Sequence, residues 1–237
     1  MTKKKYMIII WMITLICILV GLASNVGGFI PVFESVKTKK DDISYGRQKI
    51  TGIVVDMDAA DLNITNGSEL KIGYTYPESS KPQIEFKNGV LNIANHSKEN
   101  NYKSLKKACT LDITVPDDNE LTDMDVRVSY GDVDISSLKS KKVNLSVACG
   151  DVDVDSVISE DGRYALNKGD LDITNCVQND LVVNCDMGDV DIDGDFDSID
   201  ATCNLGDIDI YTKKAANEVK IKANCNLGDV TVNDEKW

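Results

Sequence analysis

The chain has 237 residues, enough for one or two domains with a sizeable core, and a formal charge of −13 from 39 acidic against 26 basic residues. A chain this acidic is poorly suited to nucleic acid and instead attracts cations and basic surfaces, when its charge does more than keep it soluble. Its single histidine, His96, lies in the polar stretch "NHSKENN", so neither a zinc site nor a Ser/His/Asp or Cys/His constellation assembles around it.

In chain order, Lys3, Lys4 and Lys5 come first, followed by the uncharged run "YMIIIWMITLICILVGLA" over residues 6–23. As a helix this run would span roughly 27 Å, close to the hydrocarbon thickness of a bilayer. The sequence therefore predicts a cytoplasmic tail over 1–5 and a transmembrane helix, or a signal sequence, over 6–28. The lysines hold the tail inside and send the rest of the chain out of the cell. Gly21 and Ala23 form a small-x-small cleavage site, but the run is longer than a signal core, so the reading favours an uncleaved anchor. Residues 29–47 read as a linker, 48–118 as an N-terminal β region and 119–237 as a repeat domain.

The repeat is Gly-Asp followed by apolar, polar, apolar: "GDVDI" at 131, "GDVDV" at 150, "GDLDI" at 169, "GDVDI" at 188, "GDIDI" at 206 and "GDVTV" at 228. Steps of 19, 19, 19, 18 and 22 residues mean one structural unit per repeat, each stacked on its neighbour. Positions −7, −5, −3 and −1 before each glycine are mostly apolar, as are +2 and +4 after it, so the inward parity slips at the glycine itself. Two strands meeting at a corner explain the slip. The expected corner residues are Gly131, Gly150, Gly169, Gly188, Gly206 and Gly228. Val133, Val152, Leu171, Val190, Ile208 and Val230 would then form one inward row, and Ile135, Val154, Ile173, Ile192, Ile210 and Val232 a second. A further apolar position near +7 or +8 holds Leu138, Val157, Cys176 and Phe196. The fold class read from this pattern is all-β, a parallel β-solenoid.

Outside the corner, positions +1 and +3 are nearly all aspartate. In the fourth repeat, "DVDIDG" from Asp189 matches the start of a helix-flanked calcium loop, with Asp200 at its twelfth position. The flanks alternate with the period of a strand, which argues against that loop. Carboxylates stacked at strand spacing, about 4.8 Å, repel by roughly 0.9 kcal/mol per pair in water. Backbone amides at the corner would offset this for the +1 row. For the +3 row the choice lies between a solvated acidic face and bridging calcium, with Asp172, Asp189, Asp191 and Asp209 as the metal candidates. No other cofactor is called for.

Positions −2 and −4 are rich in small polar residues, Asn167, Asn184, Asn204, Asn224 and Asn226 with Ser129, Ser146 and Thr202, and read as amide ladders along the stack. Arg127 and Arg163 are the basic residues near these rows. Cys185, Cys203 and Cys225 share position −3 with Val128, Val147 and Leu166, so they read as small core residues. Parallel neighbours hold Cβ atoms farther apart than a disulfide prefers, although disulfides among the six exported cysteines stay open.

The segment "LDITVPDD" at 111–118, the serial Gly-Asp-Val-x-Ile units and the apolar segment ahead of them resemble DUF4097, a bacterial family labelled "putative adhesin". The similarity runs over roughly residues 48–235 and takes in a weaker unit, "AADLNIT", at 59–65. It implies an all-β solenoid on a cell surface and brings no catalytic residues. The expected function is thus a membrane-anchored, non-catalytic surface protein of adhesin-like binding or scaffolding role at the bacterial envelope. Its partner would be a protein or a cell-wall carbohydrate. The alternative is a calcium-responsive or carbohydrate-processing surface protein that uses the aspartate rows.

Overall fold

The structure, a computed structural model, describes residues 38–77, 81–95, 109–215 and 217–236. The apolar segment expected to form a membrane helix, and His96, lie outside them. Among the described residues no helix is long and apolar enough to cross a membrane.

Eighteen strands make up the described chain. The first seven are β1 (Thr38–Gly46), β2 (Gly52–Met57), β3 (Ala60–Gly67), β4 (Leu70–Pro77), β5 (Gln83–Lys87), β6 (Val90–Asn95) and β7 (Cys109–Pro116). The Gly-Asp repeats supply β8 (Leu121–Tyr130), β9 (Val133–Ser136), β10 (Lys139–Cys149), β11 (Val152–Asp155), β12 (Ile158–Leu166), β13 (Leu171–Met187) and β14 (Val190–Leu205). The last four are β15 (Ile208–Thr212), β16 (Lys220–Leu227), β17 (Val230–Val232) and β18 (Glu235–Lys236).

Each repeat contributes one strand before its glycine and one after, and both kinds stack in parallel on their counterparts. Before the corner the order is β6, β2, β8, β10, β12, then the later halves of β13 and β14, then β16. After the corner it is β7, β3, β9, β11, the early parts of β13 and β14, β15 and β17. This is the parallel β-solenoid that the repeat spacing predicts. The early unit at 59–65 joins the same stack, with Leu62 opposite Val133 and Ile64 opposite Ile135. Chain order and stacking order part company there, because the strands of residues 90–116 lie on the far side of β2 and β3.

Antiparallel strands close that end. β5 pairs with β6 through a turn in which Asn88 and Gly89 have φ of 52° and 79°, the geometry of a tight hairpin. β4 runs antiparallel to β7, and β1 antiparallel to β4. Residues 38–46, expected within a linker, are therefore strand. At the other end β18 folds back on β17.

Both inward rows are as expected. From Leu111 and Leu62 through Ile208, and from Ile113 and Ile64 through Val232, every residue is buried; only Val230, in the last coil, is half-exposed. The +7 position needs correction at one residue. Ser137, Ser156 and Asn175 make a second corner with φ of 54–57°, and the fourth repeat lacks this residue, which accounts for its 18-residue step. Gly194 consequently pairs with Cys176, continuing the row of Leu138 and Val157. Phe196 instead stands opposite Gln178, in the row of Ser140 and Ser159. A Cβ on Gly194 would lie 2.8 Å from the Phe196 ring, so the glycine makes room for the aromatic side chain.

Burying an unpaired carboxylate in this core is strongly destabilising. Ile192→Asp is therefore expected to abolish the cooperative melt, while Asp191→Asn, one residue away on the outer face, leaves it intact. Circular dichroism of both variants checks this, and equal melting temperatures would contradict the register.

Candidate functional site

The Gly-Asp corner is built by two requirements on one residue. Gly188 has φ of 139°, a backbone conformation that side chains disfavour. A Cβ there would lie 1.9 Å from the carbonyl oxygen of Gly169 in the preceding coil. The other corner glycines share both features, with φ of 129–153° and clashes of 1.9–2.1 Å. Ala60 and Cys109, at the corresponding places in the early coils, have no positive φ, so the sharp corner begins with Gly131.

The turn leaves the next backbone N–H facing the side chain of the coil before it. Asp151 N–H donates to Asp132 Oδ1 at 2.9 Å, Asp170 to Asp151 at 2.9 Å, Asp189 to Asp170 at 2.8 Å, Asp207 to Asp189 at 2.8 Å and Asp229 to Asp207 at 2.7 Å. The ladder starts at Asp61, which accepts from Asp132 N–H at 3.4 Å, and ends where Lys236 Nζ donates to Asp229. A hydrogen bond to a charged acceptor is worth roughly 1.5–3 kcal/mol net, against about 0.9 kcal/mol of repulsion between neighbours in water. The bonds prevail, and the +1 carboxylates are structural.

This divides the four residues expected to hold calcium. Asp189 belongs to the ladder, with one carboxylate oxygen already engaged. Asp172, Asp191 and Asp209 stand in register in the +3 row. Both flanks of the "DVDIDG" stretch are strand, β13 and β14, so no helix pair frames it. Among the described residues no three carboxylate, thiol or imidazole groups converge as a metal-holding cluster.

The +3 carboxyls are raised above their ordinary value at Asp134, Asp172 and Asp191, first by partial burial against the strand surface and then by neighbouring aspartates. The amide ladder expected at −2 and −4 forms in part. Asn226 Nδ2 donates to Asn204 Oδ1 at 2.6 Å, Asn204 Nδ2 to Asp186 Oδ1 at 2.9 Å, and Thr202 Oγ1 to Asn184 Oδ1 at 2.9 Å. All six described cysteines are free thiols. Cys203 and Cys225 each donate from Sγ to the corner carbonyl one coil back, Gly188 O at 3.4 Å and Gly206 O at 2.8 Å, which gives the −3 position a polar use.

On the same face as the amides, the strands of residues 121–187 form a shallow depression of about 320 Å³. Its floor is low because Ser146 and Ala165 are small where neighbouring coils carry Arg127 and Asn184. Asn144, Arg163 and Val182 line its other side, and Asp125 holds Arg127 at 2.8 Å. The two arginines stood out in the sequence; the depression did not, because it arises from small side chains at −4 in two successive repeats. The inserted loop that lengthens the last step brings Lys214 Nζ back onto Asp197 at 2.7 Å and Asp195 at 2.9 Å.

A family model described as Toastrack DUF4097 matches residues 50–235. No curated protein matches the chain. Among solved structures, a "putative adhesin" from Bacteroides fragilis is 17% identical, with 83% of this chain and 97% of that one covered and a TM-score of 0.52. A "putative adhesin" from Parabacteroides merdae is 15% identical over 83% and 95% of the two chains, with a TM-score of 0.38. A "putative cell adhesion protein" from Clostridium sporogenes is 17% identical over 83% and 99%, with a TM-score of 0.37. The Bacteroides likeness is one of fold.

A folded-state carboxyl pKa above the unfolded one means that the folded chain binds more protons between the two values. Its contribution to stability is fully present below the ordinary value of 3.8 and is lost as pH rises through the raised one. Asp134, Asp172 and Asp191 should thus lower the melting temperature of the full chain as pH climbs from about 4, and Asp172→Asn/Asp191→Asn/Asp209→Asn, which removes two of them and the neighbouring charge that raises Asp191, should flatten that decline. Millimolar calcium is expected to leave both proteins' melts alike. A saturable calcium-dependent rise in the parent that the triple variant loses would contradict this, since a ligand bound only by the native state stabilises it by mass action.

Proposed function

Because this chain belongs to the Toastrack DUF4097 family, we propose that it is a membrane-anchored, non-catalytic β-solenoid that displays a binding face outside a bacterial cell, in an adhesin-like role. The observation that carries the reading is the use made of its polar groups. The most regular of them, the +1 aspartates, are engaged with backbone amides, which is the chemistry of a rigid display scaffold. The remaining outward rows keep polar side chains at the surface, where a partner can meet them.

The lysines at 3–5 ahead of the apolar run at 6–23 support an anchor with residues 1–5 inside and the solenoid outside. The adhesin description of the Bacteroides fragilis structure points the same way. The partner on this reading is a surface protein or a wall carbohydrate, and nucleic acid is disfavoured by the charge of −13. Protease added to intact cells should remove the solenoid and leave a short membrane-bound stub. Full protection of the solenoid, with cleavage only after lysis, would contradict the proposal.

A further inference from the structure

In a chain with 39 acidic residues, an arginine without an acidic partner is notable. Arg163 sits on the strand surface with Asp161 two residues away, yet among the described residues its guanidinium makes no ion pair or hydrogen bond. It lines the depression across from Arg127, whose own charge is answered by Asp125 on one side. Asn144, Asn184 and Ser146 add neutral donors and acceptors to the lining.

We propose that this depression is a binding site for an oxyanion, carboxylate or phosphate, carried on a polyhydroxylated unit such as an acidic sugar or a polyol phosphate. A guanidinium presents a planar fork of donors that matches either oxyanion bidentately. Amide and hydroxyl side chains around it suit the hydroxyl groups of the same unit. The size agrees: about 320 Å³ is at the lower end of volumes for small-ligand pockets. The strongly negative remainder of the chain repels long polyanions, and in the depression two arginines face one aspartate, Asp125, so the local charge there favours an anion. The site lies on regular strands, whose register fixes the backbone positions of the two arginines without any loop having to order. The proposal deepens the display role given above and rests on it for the source of the ligand.

The test uses the full chain in neutral detergent, with arginine Nε–Hε, asparagine side-chain amide and backbone amide signals followed by NMR. Glucuronate disaccharide, glycerol phosphate and a neutral glucose disaccharide are titrated separately. Saturable shifts at Arg163 and at the Asn144 and Asn184 amides are expected with an acidic probe and not with the neutral one. The acidic probe that saturates identifies the oxyanion. Arg163→Ala should weaken that binding at least tenfold at unchanged melting temperature, and Arg163→Lys, which keeps the charge and loses the fork, should recover only part of it. Arg47→Ala, in the bend after β1, should bind as the parent does. The proposal is overturned if neither acidic probe saturates, if Arg163→Ala binds as tightly as the parent, or if Lys141 and Lys142 shift as much as Arg163 with any anion. A negative result here leaves the surface location, judged by protease access to intact cells, standing or falling separately.

Discussion

The constraint on which the fold depends is the distance between one corner carbonyl and the next corner Cα. With the Gly169 carbonyl oxygen only 1.9 Å from where a Gly188 side chain would begin, successive coils meet at the corner more closely than any other residue allows. The close approach turns the strand, shifts the inward parity by one, and leaves an amide that the adjacent carbonyl does not serve. Aspartate follows glycine in each repeat because its carboxylate, one coil back, is positioned to take that amide at 2.7–2.9 Å along the regular part of the stack. The Gly-Asp pair is therefore a single structural device, and its recurrence sets the coil spacing.

The chemistry of each face follows from this. The +1 carboxylates are used in holding coils together, whereas the +3 carboxylates have no corner amide to serve, and at Asp134, Asp172 and Asp191 partial burial and then like charge oppose ionisation. Before the corner, asparagines bond from coil to coil on the outer face, and small residues at Ser146 and Ala165 open the depression between the arginines. An acidic chain thus carries two unlike faces on one scaffold, one negative and repeating, one mixed and locally basic.

Much of this was readable from residue spacing. The +2 and +4 rows follow directly from the alternation around each glycine, and the amide role of the +1 aspartates follows from what aspartate does at turns. Less was readable where the repeat departs from regularity. Phe196 was grouped with Leu138 because both lie near the same offset, but the missing second-corner residue moves it into the row of Gln178. The early coils reverse their stacking order because β4 and β5 double back antiparallel, a long-range choice that periodicity does not encode. Likewise, the depression depends on what is absent at −4, and its arginines stand 36 positions apart in the sequence.

The most direct test of the corner is amide hydrogen exchange in the full chain. Asp151, Asp170, Asp189 and Asp207 have exposed side chains on a turn, where backbone amides would ordinarily exchange fast. If each N–H is held by the carboxylate one coil back, these amides should be protected nearly as well as those of Val152, Leu171, Val190 and Ile208, which bond across the core strands. Exchange at the rate of an unstructured peptide, with the neighbouring strand amides still protected, would contradict the account.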